Sequence, residues 1–304
     1  MHKHRNIVVN ESPLSRASAE RTSAAGFLAA VAMGAALVAA APALSDQKIL
    51  GSVADNTIIE DPTGAYSAGA AQYFFAGRVN VNGSGTLRRG ALRFDLTSIP
   101  AGSTITSVSL RLYCSAAGNS TSQPISFKRF TASWGEGASV AFGGGGAAAQ
   151  SNDVTWQHRF YPGTAWATPG GQFVATASAS RNVTGIGTYT WASTPGLVAD
   201  VQGWVNAPAT NFGWCVQGNE GTLQSVKRFD SRESGAPANR PQLTVVYTLP
   251  PSNPADLNND NAVNAVDLAI LLGAWGTAGP GDIDGNGTVN AADLAALLGA
   301  WTGV

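Results

Sequence analysis

Between residues 49 and 247, apolar and polar residues alternate in short runs broken by Gly, Ser, Asn and Pro. That is the pattern of strands with one buried face. Residues 91–96 set Leu92, Phe94 and Leu96 against Arg93 and Asp95. Residues 107–114 set Val108, Leu110, Leu112 and Cys114 against Ser109, Arg111 and Tyr113. Residues 212–216, 226–232 and 242–247 read alike. One segment departs: Leu197, Val201, Trp204 and Val205 recur at helical spacing and predict a short helix. Many short strands around one short helix predict a mainly β fold, an antiparallel jelly-roll sandwich over residues 46–247.

Two stretches break the alternation. Residues 135–171 contain four consecutive glycines (143–146), three alanines and the aromatics Trp156, Phe160, Tyr161 and Trp166. They predict a long insertion carrying exposed aromatic surface. Residues 248–254, with Pro250, Pro251 and Pro254, predict a stiff linker. Beyond it, residues 256–275 and 282–301 are near-copies offset by 26 residues. In each, Leu268, Leu271, Leu272 and Trp275, or Leu294, Leu297, Leu298 and Trp301, repeat at i, i+3, i+4 and i+7. This predicts a helix with one apolar face.

Composition adds a compartment. Only 12% of the 304 residues are charged, against about a quarter in an ordinary soluble domain. Arg16 and Arg21 precede the small apolar run 24–41, which is followed by Ala-Pro-Ala and Ala-Leu-Ser at 41–45. Residues 1–45 therefore read as an export signal, with an uncleaved anchor as the alternative. The expected product is extracellular or attached to the cell surface, with no membrane segment once the signal is cleaved. Cys114 and Cys215 form either a disulfide or, by default, two buried thiols.

Charge then divides the chain. Residues 46–249 carry a balance of +3, whereas residues 250–304 hold six Asp and no Lys or Arg. No basic cluster suggests nucleic acid. The tail's missing counter-charge points to a metal. Calcium takes six to eight hard oxygens, which a 12-residue loop supplies from positions 1, 3, 5, 7, 9 and 12. Loop one offers Asp256, Asn258, Asp260, the Ala262 carbonyl, Asn264 and Asp267. Loop two offers Asp282, Asp284, Asn286, the Thr288 carbonyl, Asn290 and Asp293. Two Ca2+ ions are expected, with Asn264 and Asn290 acting directly or through water. Position six must tolerate positive φ and is Asn261 or Gly287. Position eight is Val263 or Val289, expected to face a core.

This duplicated loop, closing on Asp and with no helix entering it, resembles the type I dockerin family across residues 255–304. The resemblance implies docking onto a cohesin-like domain. The family's partner-reading positions correspond to Ala265, Val266, Ala291 and Ala292, where many members carry hydroxyl groups. Trp275 and Trp301 are expected either at that surface or capping the module's own core.

The larger part is similar to the DNRLRE family. The resemblance is carried by residues 55–78, 88–112, 200–214 and 228–247, with Arg232-Glu233 closing the motif. It implies a jelly-roll module on secreted bacterial proteins, often beside parts that act on or bind polysaccharide. Arg93-Phe94-Asp95 and Arg228-Phe229-Asp230 read either as cross-strand ion pairs or as part of a groove. In the groove reading Arg88, Arg89, Arg93, Arg228 and Arg232 meet uronate carboxylates as planar forks. Trp156, Tyr161, Trp166 and Trp191 are candidate sugar platforms, each weighed against plain packing. Catalysis is not expected. The only histidine after the export signal is His158, the loop acids are Glu136 and Asp153, and no nucleophile elbow, P-loop or zinc spacing occurs. The expectation is a secreted polysaccharide-binding accessory protein in polysaccharide catabolism. A structural spacer is the alternative, and a hydrolase or lyase the weaker one.

Overall fold

The computed structural model describes residues 45–80, 85–250 and 253–302. Apart from Ser45, the expected export signal lies outside them. Among the described residues no helix is long and apolar enough to cross a membrane.

The fold is mainly β. Strands β1 (Ser45–Ile59), β2 (Tyr66–Ser67), β3 (Tyr73–Arg78), β4 (Leu87–Phe94), β5 (Thr104–Ala117) and β6 (Gln123–Arg129) come first. Five shorter strands follow: β7 (Ala147–Ala148), β8 (His158–Phe160), β9 (Thr164–Ala165), β10 (Ala179–Val183) and β11 (Gly187–Trp191). Helix α1 (Pro195–Asn206) precedes β12 (Trp214–Gln217), β13 (Lys227–Asp230) and β14 (Gln242–Thr248). The tail contributes α2 (Ala265–Gly273) and α3 (Ala291–Gly299).

Strand β1 ties two antiparallel layers together. Its first half pairs with β14, from Ser45 opposite Thr248 to Gly51 opposite Gln242. After a register shift between Ser52 and Ala54, its second half pairs with β4. One layer runs β1–β14–β5–β13–β3, with β11 also on β5, and the other β1–β4–β12–β6–β10; the end of β3 also pairs with β4, Gly77 opposite Arg88, so the layers are joined there as well. Between them lie Phe74, Leu92, Phe94, Val108, Leu110, Leu112, Phe127, Trp214, Phe229 and Leu243, all buried. The predicted inward faces of β4 and β5 are therefore the real ones. Each large side chain there contributes about 1.5–3 kcal/mol by leaving water. Helix α1 forms where periodicity placed it. Thr194 caps it by accepting from the Leu197 N–H at 3.1 Å, Pro starts it, and Leu197, Val201, Trp204 and Val205 are buried.

The insertion is where expectation fails. Of the aromatics in this stretch Phe142 alone stands fully in solvent; Trp156, Phe160 and Tyr161 are half-buried and Trp166 is buried, and most of the stretch plates the outside of the β1–β4–β12 layer. Ala54, Ile58, Ala91 and Cys215 point outward from that layer. They meet Phe130, Trp134, Val154 and Trp166 in a second core, with Trp156 and Phe173 partly buried beside it. Small outward side chains on the strands leave room for large rings from the loop. Trp166 stacks on Phe130 at 5.8 Å and donates its indole N–H to the Thr155 carbonyl. The two cysteines sit in different cores, both as free thiols. Burial lifts the Cys215 thiol to about 12.

The tail's small core is Ala255, Val263, Leu271, Val289 and Leu297. The apolar face is narrower than the leucine spacing predicted. Leu271 and Leu297 are buried and Leu268 and Leu294 partly so, while Leu272 and Leu298 stand exposed. Trp275 and Trp301 are 46% and 40% exposed, so they do not cap the core.

Candidate functional site

The two tail loops have matching backbones. Asn259 and Asn261 in the first, and Gly285 and Gly287 in the second, take positive φ, the last at 89°. Only Gly, and next Asn, does this readily, which explains the residue types at position six. The first aspartate of each loop closes it. Asp256 accepts from the N–H groups of Asp260 (3.1 Å) and Asn261 (2.8 Å), and Asp282 from those of Asn286 (3.0 Å) and Gly287 (2.8 Å). The last aspartate ties loop to helix. Asp267 accepts from Leu257, Asn258 and Asn264, and Asp293 from Ile283, Asp284 and Asn290. For Asp267, burial opposes ionisation, but these N–H groups outweigh it and its carboxyl titrates below its ordinary value. Asp293 is lowered too, chiefly by the N–H groups of Asp284 and Asn290.

One oxygen each from Asp256, Asp260 and Asp267 lie within 4.8 Å of one another, as do oxygens from Asp282, Asp284 and Asp293. Asn258 leans on Asp260 in the first loop (2.8 Å) and Asn286 on Asp284 in the second (2.9 Å). The second and third side-chain positions thus exchange their Asp and Asn without changing the cluster. The Ala262 and Thr288 N–H groups reach the preceding side chains, Asp260 and Asn286. Asn290 also donates to the Thr288 carbonyl.

Asn264 and Asn290 have a role that loop spacing did not reveal. Each is a helix N-cap, accepting from Val266 or Ala292 at 2.8 Å, with the last aspartate completing a capping box. The Asn-x-x-Asp spacing carried that signal. The copies also close on one another. Thr302, after α3, exchanges hydrogen bonds with Val263 of loop one; Gly276 and Thr277, after α2, do the same with Val289 of loop two. Ala265, Val266, Ala291 and Ala292 are exposed on the first helical turns. Leu272 and Leu298 stand exposed farther along the same helices.

In the sandwich the proposed arginine groove does not assemble. Arg88 is buried, donates to the carbonyls of Gly144 and Leu87, and is brought down to about 10 by burial. Arg89 pairs with Glu220 at 2.6 Å and lies 4.8 Å over Trp156. Arg93 covers Trp134, and Arg228 lies 4.0 Å over Tyr73 while bonding Ser115. Arg232 grips Glu136 with two bonds, at 2.6 and 2.7 Å, and also pairs with Glu233. Among the described residues no two of the five share a partner. The twin Arg-Phe-Asp segments form no ion pair with each other among the described residues. Trp166 and Trp191 are buried, Trp156 lies under Arg89, and Tyr161 packs edge-on against His158. None of these four is an open sugar platform.

A carboxylate cluster emerges that sequence spacing concealed, because its members come from β1, the insertion and the turn after β13. Oxygens of Asp55, Glu136 and Glu233 lie within 4.8 Å of one another around Arg232. Burial, then the charge of Glu233, holds Asp55 well above its ordinary value, and burial raises Glu233 as well. Asp153 is raised by burial and accepts from the Gln150 and Ser139 N–H groups. Glu233 Oε1 faces Arg232 while Oε2 is enclosed without a partner. A scan of protein-family models and a search of curated proteins return no match to the chain.

Proposed function

We propose that this is a secreted, non-catalytic accessory protein with two working parts. The sandwich, read as a DNRLRE-type jelly roll, binds polysaccharide. The tail, read as a type I dockerin, holds two Ca2+ ions and fastens the protein to a cohesin-like domain, in the service of extracellular polysaccharide breakdown. The observation that carries this reading is the pair of matching loops, each gathering three carboxylates with no cation in the tail. The donor set is hard oxygen throughout, which fits calcium. Asp256, Asn258, Asp260, Asp267 and the Ala262 carbonyl would hold one ion. Asp282, Asp284, Asn286, Asp293 and the Thr288 carbonyl would hold the other. Bound calcium supplies the positive charge that the tail lacks. The small apolar groups Ala265, Val266, Ala291 and Ala292, with Leu272 and Leu298 beyond them, suit a partner contact resting on burial.

Calorimetric titration of the full chain with calcium should give two sites, and Asp267→Ala should remove one. A pull-down from the extracellular fraction should capture its partner in calcium and not in chelator. No heat on titration, or capture that ignores the chelator, would retire the proposal. A spacer role for the sandwich is the second reading, favoured by the engagement of all five arginines inside the molecule. Failure of the sandwich to bind any glycan in affinity gels would select it.

A further inference from the structure

With the expected arginines and tryptophans spoken for, one apolar feature on the sandwich surface stands beside a cavity and remains unexplained. In residues 140–142 the side chains alternate: Ala141 is buried against Ala68 and Ala71, while Val140 and Phe142 point outward. Phe142 is 96% exposed. It nevertheless sits on a held segment, since buried Arg88 grips the Gly144 carbonyl and a Cβ on Gly144 would meet the Phe75 ring at 3.3 Å. Among the described residues, Phe142 and Val140 together expose an apolar ledge that none of the sandwich cores covers.

Beside it lies a cavity of about 360 Å3 lined by Ala70, Gln72, Tyr73, Val140, Phe142 and Glu233. Its chemistry is mixed in a particular way. Phe142 and Val140 give an apolar ledge, while the Gln72 amide both donates and accepts. No Lys or Arg lines it. Behind Glu233 stand Glu136 and Asp55, three carboxyls around the single Arg232. Arg228 lies flat on the lining residue Tyr73 and bonds Ser115. An anionic sugar entering here would find no guanidinium among the lining residues to pair with. An uncharged sugar would set its C–H face on Phe142 and its hydroxyls toward Gln72.

We infer that this cavity is the sandwich's sugar subsite and that it takes an uncharged, hydroxyl-rich sugar in place of a uronate. The inference rests on the polysaccharide-binding reading above and replaces the arginine groove as its seat. The backbone beside the ledge is held by Arg88, which limits the ordering cost of binding.

The test is affinity electrophoresis of the full chain in gels of neutral glucan, xylan and mannan beside alginate and polygalacturonate, with and without about 0.5 M salt. Retardation by a neutral polysaccharide, unchanged by salt and weakened about tenfold by Phe142→Ala, is the expected result. Gln72→Ala should weaken it further. Both side chains are exposed, so the variants should fold, and an unchanged melting curve checks this. Binding only to the uronate gels, with salt release, would overturn this inference and leave polysaccharide binding standing. Neutral binding indifferent to Phe142→Ala and Gln72→Ala would move the site elsewhere. Retardation by no glycan would remove the broader reading together with this one.

Discussion

In the sandwich, Arg89 meets Glu220 and Arg232 meets Glu136, both at 2.6 Å, and Arg129 meets Asp200 at 3.0 Å. In the tail, six aspartates stand in a stretch with no Lys or Arg, and three of them cluster in each loop. The cores differ in the same sense. The sandwich has two large ones and a small alanine cluster, the largest built on Phe, Trp and Leu from both layers; the tail closes on Ala255, two valines and two leucines. One region pairs several of its charges and builds large cores from within. The other leaves a demand for positive charge and little apolar burial to offset it. Small modules of that kind draw folding free energy from the metal they bind.

Chelation is the strongest way to break this contrast. Heating the full chain in calcium and in chelator should show one transition that moves and one that does not. At a thousandfold excess of calcium over its dissociation constant the gain is about 4 kcal/mol per site, and it should be read in the helical signal of the tail alone. A sandwich transition that moved equally would erase the distinction.

Core truncations sharpen it next. Trp166→Ala should cost about 3–5 kcal/mol, as large buried aromatics do, and leave a folded sandwich. An exposed Trp166 would have cost almost nothing, so the denaturation midpoint measures whether the insertion is a true layer. Leu271→Ala, at about 2–5 kcal/mol, should unfold the smaller tail core outright, seen as lost helix even in calcium.

A weaker effect concerns pH. Asp55 is raised in the fold, so its neutral form contributes stability that is complete below the ordinary carboxyl value of 3.8 and is lost as pH rises through its folded value. Asp55→Asn removes that loss while keeping an oxygen for the Arg232 N–H. Its melting temperature should exceed that of the parent protein by a margin that widens from pH 4 to pH 8. A margin that is flat with pH would mean that Asp55 ionises normally.

The smallest test asks whether the two loop copies are equivalent. Asn264→Ala and Asn290→Ala each remove an N-cap and should cost about 1 kcal/mol, equally. Unequal costs in the tail transition would show that α2 and α3 are held differently despite matching hydrogen bonds.

Much of the local chemistry was legible in the residues, though not the capping by Asn264 and Asn290 or the exposure of Leu272 and Leu298. Positive φ at Asn261 and Gly287, buried Val263 and Val289, the inward faces of β4 and β5, and helix α1 all follow from spacing within about a dozen residues. Such features depend on the chain's own turn geometry and side-chain period, which the sequence states directly. What it did not state is what covers a strand's second face. Trp214, Cys215 and Val216 are buried in succession, as are Gly90, Ala91 and Leu92 in β4, and such unbroken runs hint that a third layer lies over these strands. Whether Trp166 faces water or Phe130 is decided by a contact across 36 residues. The arginines' fates depended likewise on Glu220, Glu136 and Tyr73, distant in the chain and near only in the fold. Alternation and loop spacing are local and survive in one dimension. The pairing of charges and the choice between surface and core are many-body outcomes, and only the packed layers decided them.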